Sequence, residues 1–457
     1  MKNQFVLGPR SLKILPLRLT GGKIQGELEP PADKSITHRA IFFSALSPEK
    51  SVIENPLLAE DCLSTLRCFQ DLGVPISLKN NRVTVAAGKK RSGSVLRLLS
   101  KPKRALDCGN SGTTMRMLSG VLAGQPFLTS LVGDASLSRR PMLRVIDPLN
   151  KMGAQIKSAN GNPPLRVNGS FPLKSLHWEN KVASAQVKSA LLLAGLSAVG
   201  KTCVWEPVKS RDHSERLLRS MGAQITQKRD AGLAGGCAVT VRGLAGALRG
   251  LHMRIPGDFS SAAFFIAAAL MSPGSKLKIN NLNLNPTRTG FLNVIRRMGA
   301  KTRIVNARMK SNEPVGDLWV EYSPLKGAEL KCCEVPGMID EVPILAVLAT
   351  QAKGSTKIRG AGELRVKESD RLRAISLCLS AMGARIAERK EGLDIWGPCA
   401  LRGAKVRSFG DHRIAMSMSI AALLAQGKTE IVDFDCVRIS YPDFLQDMKS
   451  VIRAQKI

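Results

Sequence analysis

The tripeptide Met-Gly-Ala recurs at Met152-Gly153-Ala154, Met221-Gly222-Ala223, Met298-Gly299-Ala300 and Met382-Gly383-Ala384, with Leu72-Gly73-Val74 as a weaker copy. Each copy closes a stretch with helical periodicity, such as "SERLLRSMGA" or "FLNVIRRMGA", and opens a short alternating segment, such as "QITQ" or "KTRIV". A glycine just past a helix adopts the left-handed turn at no Cβ cost, so a strand can start at once. A helix–glycine–strand joint at this regular spacing predicts several copies of one α/β unit. The copies lie too far apart for the common solenoid repeats. The C-terminal "PDFLQDMKSVIRAQKI" predicts a further helix whose glycine–strand continuation is missing.

At 457 residues, the chain is long enough for two or more domains. Its 44% hydrophobic content supplies ample core, while only 4% is aromatic, a poor basis for stacking nucleic-acid bases. The formal net charge of +32 raises the possibility of a polyanionic partner. The basic residues are nevertheless scattered in ones and twos, which fits a solvated surface and small anionic ligands better than specific nucleic-acid binding. Ten cysteines without a Cys-x-x-Cys pair predict reduced thiols in a cytoplasmic protein and no metal site. The N-terminus lacks the apolar core of a signal peptide, and the runs "SALLLAGLSAVG" and "SSAAFFIAAALM" are too short to span a bilayer.

Chemistry gathers at predicted helix starts. In "PPADKSITHRAIFFSAL", Asp33 or Ser35 is placed to cap a helix, with Lys34 at its mouth and Arg39 one turn beyond Ser35. "GNSGTTMRML" combines Gly112, hydroxyl groups and Arg116 at another such start, an arrangement that suits an anion without being a Walker loop. Arg139-Arg140 precede Pro141, and an arginine fork grips carboxylate or phosphate. Ser184, Gln186 and Lys188 crowd the start of "SAQVKSALLLAGL"; Ser210 and Arg211 precede the next helix. Asp340-Glu341, Lys367-Glu368 with Arg371, and Asp411-His412-Arg413 open three more. Any one of these is compatible with an ordinary cap. Together they predict a cleft of helix N-termini for a ligand with several negative charges, where two or three carboxylates, Asp340, Glu368 and as a third Glu341, are the acid–base candidates and Lys, Arg and helix dipoles replace a metal.

The motifs "DKSITHRA", "GNSGTTMR", "SAQVKSALLLAGL", "RVKESDR" and "DHRIAMS", in this order, resemble the 5-enolpyruvylshikimate-3-phosphate (EPSP) synthase family, and its class II branch more than class I. The resemblance spans about residues 20–448. It implies a two-domain α/β enolpyruvyl transferase fold, an inside-out α/β barrel of six βαβαββ repeats, three per domain. One domain would be discontinuous, 1–31 plus 254–457, the other inserted, 32–253, with the active site in the cleft between them. The implied reaction adds the 5-hydroxyl of shikimate 3-phosphate to C2 of phosphoenolpyruvate and then expels phosphate, with no cofactor. A cytoplasmic monomer is expected.

Carried over motif by motif, Lys34, Gly112, Arg116, Arg140, Gln186, Arg371 and Arg413 would meet phosphoenolpyruvate. Lys34, Ser35, Arg39, Ser184, Gln186, Ser210, Arg211, Asp340 and Lys367 would meet shikimate 3-phosphate. Asp340 would take the 5-hydroxyl proton, Glu368 would protonate C3, and Lys34 would assist. The chain departs from the class I pattern at Ala185, where many members carry a second serine, and at Met117, where class I has proline. Near the C-terminus Ile439 replaces a lysine, leaving Arg438 as the neighbouring cation. The rival enzyme reading is a sister transferase acting on UDP-N-acetylglucosamine, whose characteristic loop cysteine has no match here. The rival from another class is a basic nucleic-acid-binding protein.

Overall fold

The computed structural model describes residues 4–8, 10–17, 22–90, 96–229 and 236–453. The chain divides into two compact units. The terminal unit comprises residues 1–31, 256–309 and 314–457; the inserted unit comprises 32–255 and 310–313. Two boundaries differ from the expectation drawn from the motifs. The return crossing falls after Ile255 rather than 253. The reason is that strand His252–Arg254 pairs in parallel with Ser51–Glu54, and the Ile255 amide donates to the Glu54 carbonyl. Residues 310–313, the tip of a hairpin whose strands run Lys301–Lys310 and Glu313–Glu321, group with the inserted unit. There the Glu313 carboxylate meets His213 Nδ1 at 2.8 Å, both side chains fully buried.

Six sheets repeat one order. In the inserted unit, Leu106–Asp107 pairs in parallel with Leu128–Val132, which pairs antiparallel with Asn162–Asn168, which pairs antiparallel with Gln155–Ala159. Two more sheets there, led by His252–Arg254 and His177–Glu179, follow the same order. The terminal unit holds the other three, led by Lys23–Leu28, Glu329–Leu330 and Lys405–Arg407. Each sheet is open, and among the described residues none closes on itself.

The recurrent glycine does what its position demands. Gly73, Gly153, Gly222, Gly299 and Gly383 all have φ between 81° and 108°, each one residue past a helix C-cap. The last helix, Phe444–Val451, has no such glycine and runs into the two-residue strand Ile452–Arg453. The strands missing after it come from the other end of the sequence. Phe5–Leu7 and Ser11–Ile14 pair antiparallel, and the second of them pairs antiparallel with Thr429–Val432. The N-terminus thus completes the sixth sheet.

Two kinds of helix alternate. One kind is apolar all round and enclosed: all thirteen residues of Phe259–Met271 are buried. The other, such as His213–Ser220 or Gly290–Arg297, presents one apolar stripe and a charged outer face. Each unit closes around its own core. Phe264, Phe265, Tyr441 and Phe444 cluster in the terminal unit, and Phe42 meets Phe69 edge-on in the inserted one. Among the described residues six helices, three per unit, begin with a side-chain cap. Asp33, Ser111 and Ser184 accept from Ile36, Thr114 and Val187; Asp258, Asp370 and Asp411 accept from Ser261, Arg373 and Arg413. Such a cap stabilises by about 1 kcal/mol and fixes the angle at which the first helical residues leave the loop.

Candidate active site

The predicted site residues fall into two sets, one per unit. In the inserted unit Asp33, not Ser35, caps the first helix, so Lys34 is its first residue and pairs with Asp61. One turn on, Arg39 is buried: its Nη1 donates to the Ser35 carbonyl at 2.9 Å and its Nε to Ser214 Oγ at 2.8 Å. Ser35 Oγ in turn accepts from Arg211 Nη1 at 3.2 Å. Lys34, Ser35, Arg39 and Arg211 are therefore neighbours, although more than 170 residues separate the first from the last.

The "GNSGTTMR" segment is joined to "SAQVKS" through side chains. Arg116 Nη1 donates to Gln186 Oε1 at 2.7 Å, and Gln186 Nε2 donates to Thr113 Oγ1 at 2.9 Å. Arg140 Nη2 donates to Asn110 Oδ1 at 2.6 Å and to Ser136 Oγ at 3.1 Å. Gly112 lies between the two guanidinium groups. A Cβ there would sit 2.8 Å from Arg116 Nη1 and 3.3 Å from Arg140 Nη1. The absence of a side chain lets two cations approach one helix N-terminus, whose free N–H groups already favour an anion. Beneath this surface Ser111, Thr114, Thr65 and His38 form a buried chain of hydrogen bonds. Burial, with Lys34 and Arg39 nearby, pushes the His38 imidazole well below its ordinary pKa and keeps it neutral.

In the terminal unit the organiser is Arg371, first residue of the helix Arg371–Ala381 and 1% exposed. Its Nε meets Asp411 at 2.7 Å, one Nη meets Asp340 at 3.2 Å, and the other meets Glu368 at 2.5 Å. Burial alone would weaken the charged form, but Asp411, Glu368 and Asp340 outweigh it and raise the Arg371 pKa above the usual arginine value. Arg413 Nε lies 3.4 Å from the same Asp340 oxygen. Asp340 and Glu368, the two acid–base candidates, are thus held by one guanidinium. Glu341 differs from them: it is 1% exposed and receives the Ser260 hydroxyl, so it faces the core. Lys367 lies in extended backbone just before this helix, and Arg438 is exposed in a 3-10 turn, Phe434–Ile439.

Three carboxylates to which the motifs assign no site role are central in the fold. Asp61 and Asp411 are the counter-charges of Lys34 and Arg371. Glu206 is buried against Ser184 and Ser210. Asp411 carried a usable signal, since an N-cap aspartate beside an arginine cluster is placed to do both jobs. Asp61 and Glu206 lie outside the motifs and carried none.

Residues 19–448 match the model of the family described as EPSP synthase (3-phosphoshikimate 1-carboxyvinyltransferase). The chain belongs to this family. A 3-phosphoshikimate 1-carboxyvinyltransferase of Thermodesulfovibrio yellowstonii is 47% identical over 424 residues, 92% of this chain and 96% of that one. One from Syntrophomonas wolfei is 47% identical over 425 residues, with the same two coverages. The solved EPSP synthase of Acinetobacter baumannii superposes with a TM-score of 0.83 at 38% identity, covering 98% of this chain and all of that one. These EPSP synthase relatives are matched along almost their whole length, so both residue sets above fall within the shared region. Among the described residues no helix is long and apolar enough to cross a membrane, and no cluster of His, Cys, Asp and Glu suits a metal ion.

Proposed function

We infer that this chain transfers the enolpyruvyl group of phosphoenolpyruvate to the 5-hydroxyl of shikimate 3-phosphate, as its relatives are named for doing. The observation that carries the assignment of roles is the Arg371 cluster, where two partly exposed carboxylates are fixed by one buried cation. Addition–elimination needs two proton transfers of opposite sense. Asp340 takes the proton of the 5-hydroxyl as its oxygen bonds to C2 of phosphoenolpyruvate. Glu368 delivers a proton to C3. The tetrahedral adduct then loses phosphate from C2, which takes up the proton held by Asp340 and leaves as hydrogen phosphate, while C3 gives its proton back to Glu368, regenerating the enol ether. Substrates and products balance without an oxidant or a metal.

Arg140, Arg116, Lys34 and Arg413 meet the phosphate and carboxylate of phosphoenolpyruvate, with Gly112 giving the close approach. Arg371 holds Asp340 and Glu368 in place and contributes charge to the same substrate. Ser35, Arg39, Arg211, Ser184, Gln186, Ser210 and Lys367 meet shikimate 3-phosphate. The ten cysteines, none of them in a disulfide among the described residues, support a reducing, cytoplasmic setting, and we take the active form to be the monomer.

Phosphate release by the purified protein tests this. Release should require both substrates. Glu368→Gln should lower kcat by roughly 10²–10⁴-fold, the usual worth of general acid–base catalysis, with Km for shikimate 3-phosphate little changed. Wild-type protein that releases no phosphate with shikimate 3-phosphate, but does with UDP-N-acetylglucosamine, would assign the chain to the sister reaction.

A further inference from the structure

Lys188, the cation of "SAQVKSA", has no role among those the family resemblance implies. It is fully buried, and its ammonium lies 2.9 Å from Glu206 and 2.8 Å from Glu215, both also fully buried. Burial would depress its pKa, but the two carboxylates outweigh this and push it above the ordinary lysine value, so the charge is permanent. A buried ion triad of this kind is costly to assemble and is weak evidence for stability by itself. Its contacts show what it holds.

Glu206 is the hub. Its carboxylate accepts from the Ser210 hydroxyl, 2.8 Å from both oxygens, and from the Ser210 amide at 3.3 Å. It also accepts from the Ser184 amide at 3.0 Å. Lys188 completes the grip from the other side, donating to the Ser210 carbonyl at 3.4 Å. The Ser210 backbone is therefore held at N and at O, and its hydroxyl is held too. Ser184 caps the helix that carries Gln186 and Lys188 itself, so one buried carboxylate sets the entry of that helix and the loop before the next one.

We propose that Glu206, neutralised by Lys188, is a positioning residue that sets Ser184 and Ser210 as a preformed cradle for the phosphate of shikimate 3-phosphate. The proposal rests on the function proposed above for its ligand. In the unliganded arrangement Glu206 orders the Ser210 hydroxyl. When the phosphate arrives, that hydroxyl turns from the carboxylate to the incoming oxygen, while the Ser210 and Ser184 amides stay bound to Glu206 and keep both residues in register. Glu206 touches no substrate; it acts through the two serines.

Steady-state kinetics of Glu206→Ala, with each substrate varied in turn, tests the idea. A hydrogen bond to a charged group has a worth corresponding to roughly a tenfold change or more. Km for shikimate 3-phosphate should therefore rise about tenfold or more, with Km for phosphoenolpyruvate and kcat each within about threefold of wild type. Glu206→Gln, which keeps one acceptor oxygen and the side-chain volume, should recover part of the loss and is the variant to use where Ala does not fold. The effect should shrink, without vanishing, when Glu206→Ala is made in a Ser210→Ala background, because coupled residues are not additive and Ser184 still depends on Glu206. Equal rises in both Km values, full additivity with Ser210→Ala, or unchanged kinetics beside a lowered melting temperature would each overturn the proposal.

Calorimetric titration with shikimate 3-phosphate alone separates this claim from the assigned reaction. Wild type that binds it but releases no phosphate sinks the reaction and leaves the cradle to be judged by the loss of binding in Glu206→Gln. Wild type that does not bind it sinks both.

Discussion

Lys188 in the inserted unit and Arg371 in the terminal unit are both buried cations ringed by carboxylates, but the carboxylates differ in what they can reach. Glu206 and Glu215 are 0% exposed. Asp340 and Glu368 are 16% and 17% exposed, and only Asp411 is enclosed with its arginine. An enclosed carboxylate can order its neighbours but has no path for exchanging a proton with a ligand. A carboxylate anchored at one oxygen by a buried cation and open at its edge has both a fixed position and access. The same device, a desolvated cation with several acids, thus suits a scaffold in one unit and, on the roles proposed for Asp340 and Glu368, a reactive surface in the other.

The largest effect should come from removing the cations. Deleting one partner of a buried ion cluster strands the others and costs about 3–5 kcal/mol. Lys188→Met should lower the stability of the inserted unit by that order, and Lys188→Met with Glu206→Gln and Glu215→Gln should recover much of it, since a neutral core leaves no stranded charge. Arg371→Met should be less costly to the terminal unit, because water reaches Asp340 and Glu368. Tryptophan fluorescence reads the units separately: Trp178 and Trp205 lie in the inserted unit, Trp319 and Trp396 in the terminal one. Urea midpoints that fall equally for the two cation deletions would break the comparison between them.

The repeat was legible in the sequence because it rests on backbone geometry. A glycine at positive φ after a helix has few substitutes, so Met-Gly-Ala marks the joint wherever it occurs. The helix starts were legible for a similar reason, since Asp and Ser caps leave a local signature. What escaped depends on long-range packing. Nothing near Glu206 announces that it meets Ser184, 22 residues earlier in the chain. Nor does the sequence near Ser11 reveal that its strand completes the sheet of Thr429–Val432. Lys188 shows the limit best. It crowds the start of its helix beside Ser184 and Gln186, yet only the fold shows that its side chain is turned into the interior.

A smaller effect is expected where the inserted unit is proposed to meet ligand. Arg116 and Arg140 flank Gly112 and bond to the neutral oxygens of Gln186 and Asn110, in contrast to Arg371 among its acids. A methyl group at 112 intrudes on both guanidinium ends, which are flexible and would yield by leaving their preferred rotamers. Displacing one side chain in this way costs roughly 0.5–1.5 kcal/mol, so Gly112→Ala should raise Km for phosphoenolpyruvate about 3- to 10-fold. Km for shikimate 3-phosphate should change less. Unchanged Km for phosphoenolpyruvate would show that the two arginines bind their ligand away from the glycine.

The smallest effect concerns His38, a buried base stabilised as the neutral form where Lys188 and Arg371 are stabilised as cations. It meets the Thr65 hydroxyl at 2.8 Å, and burial, then Lys34 and Arg39, lower its pKa well below 6.5. In the unfolded chain the imidazole titrates near the ordinary value of about 6.5. Above that pH both states are neutral and His38 adds no slope. Below it the unfolded chain takes up a proton that the folded chain refuses, so stability falls as the pH falls, by up to about 1.4 kcal/mol per unit, until the folded-state pKa is reached. His38→Asn keeps a polar group facing Thr65 and removes the titration. Unfolding free energies of the inserted unit, measured between pH 7.5 and 5.5 in a Trp319→Phe/Trp396→Phe background, should therefore fall less steeply in the variant by close to one proton. His213 and His412 are present in both proteins, so their contributions cancel in the difference. Identical slopes would mean that His38 takes up its proton inside the fold as readily as in the unfolded chain.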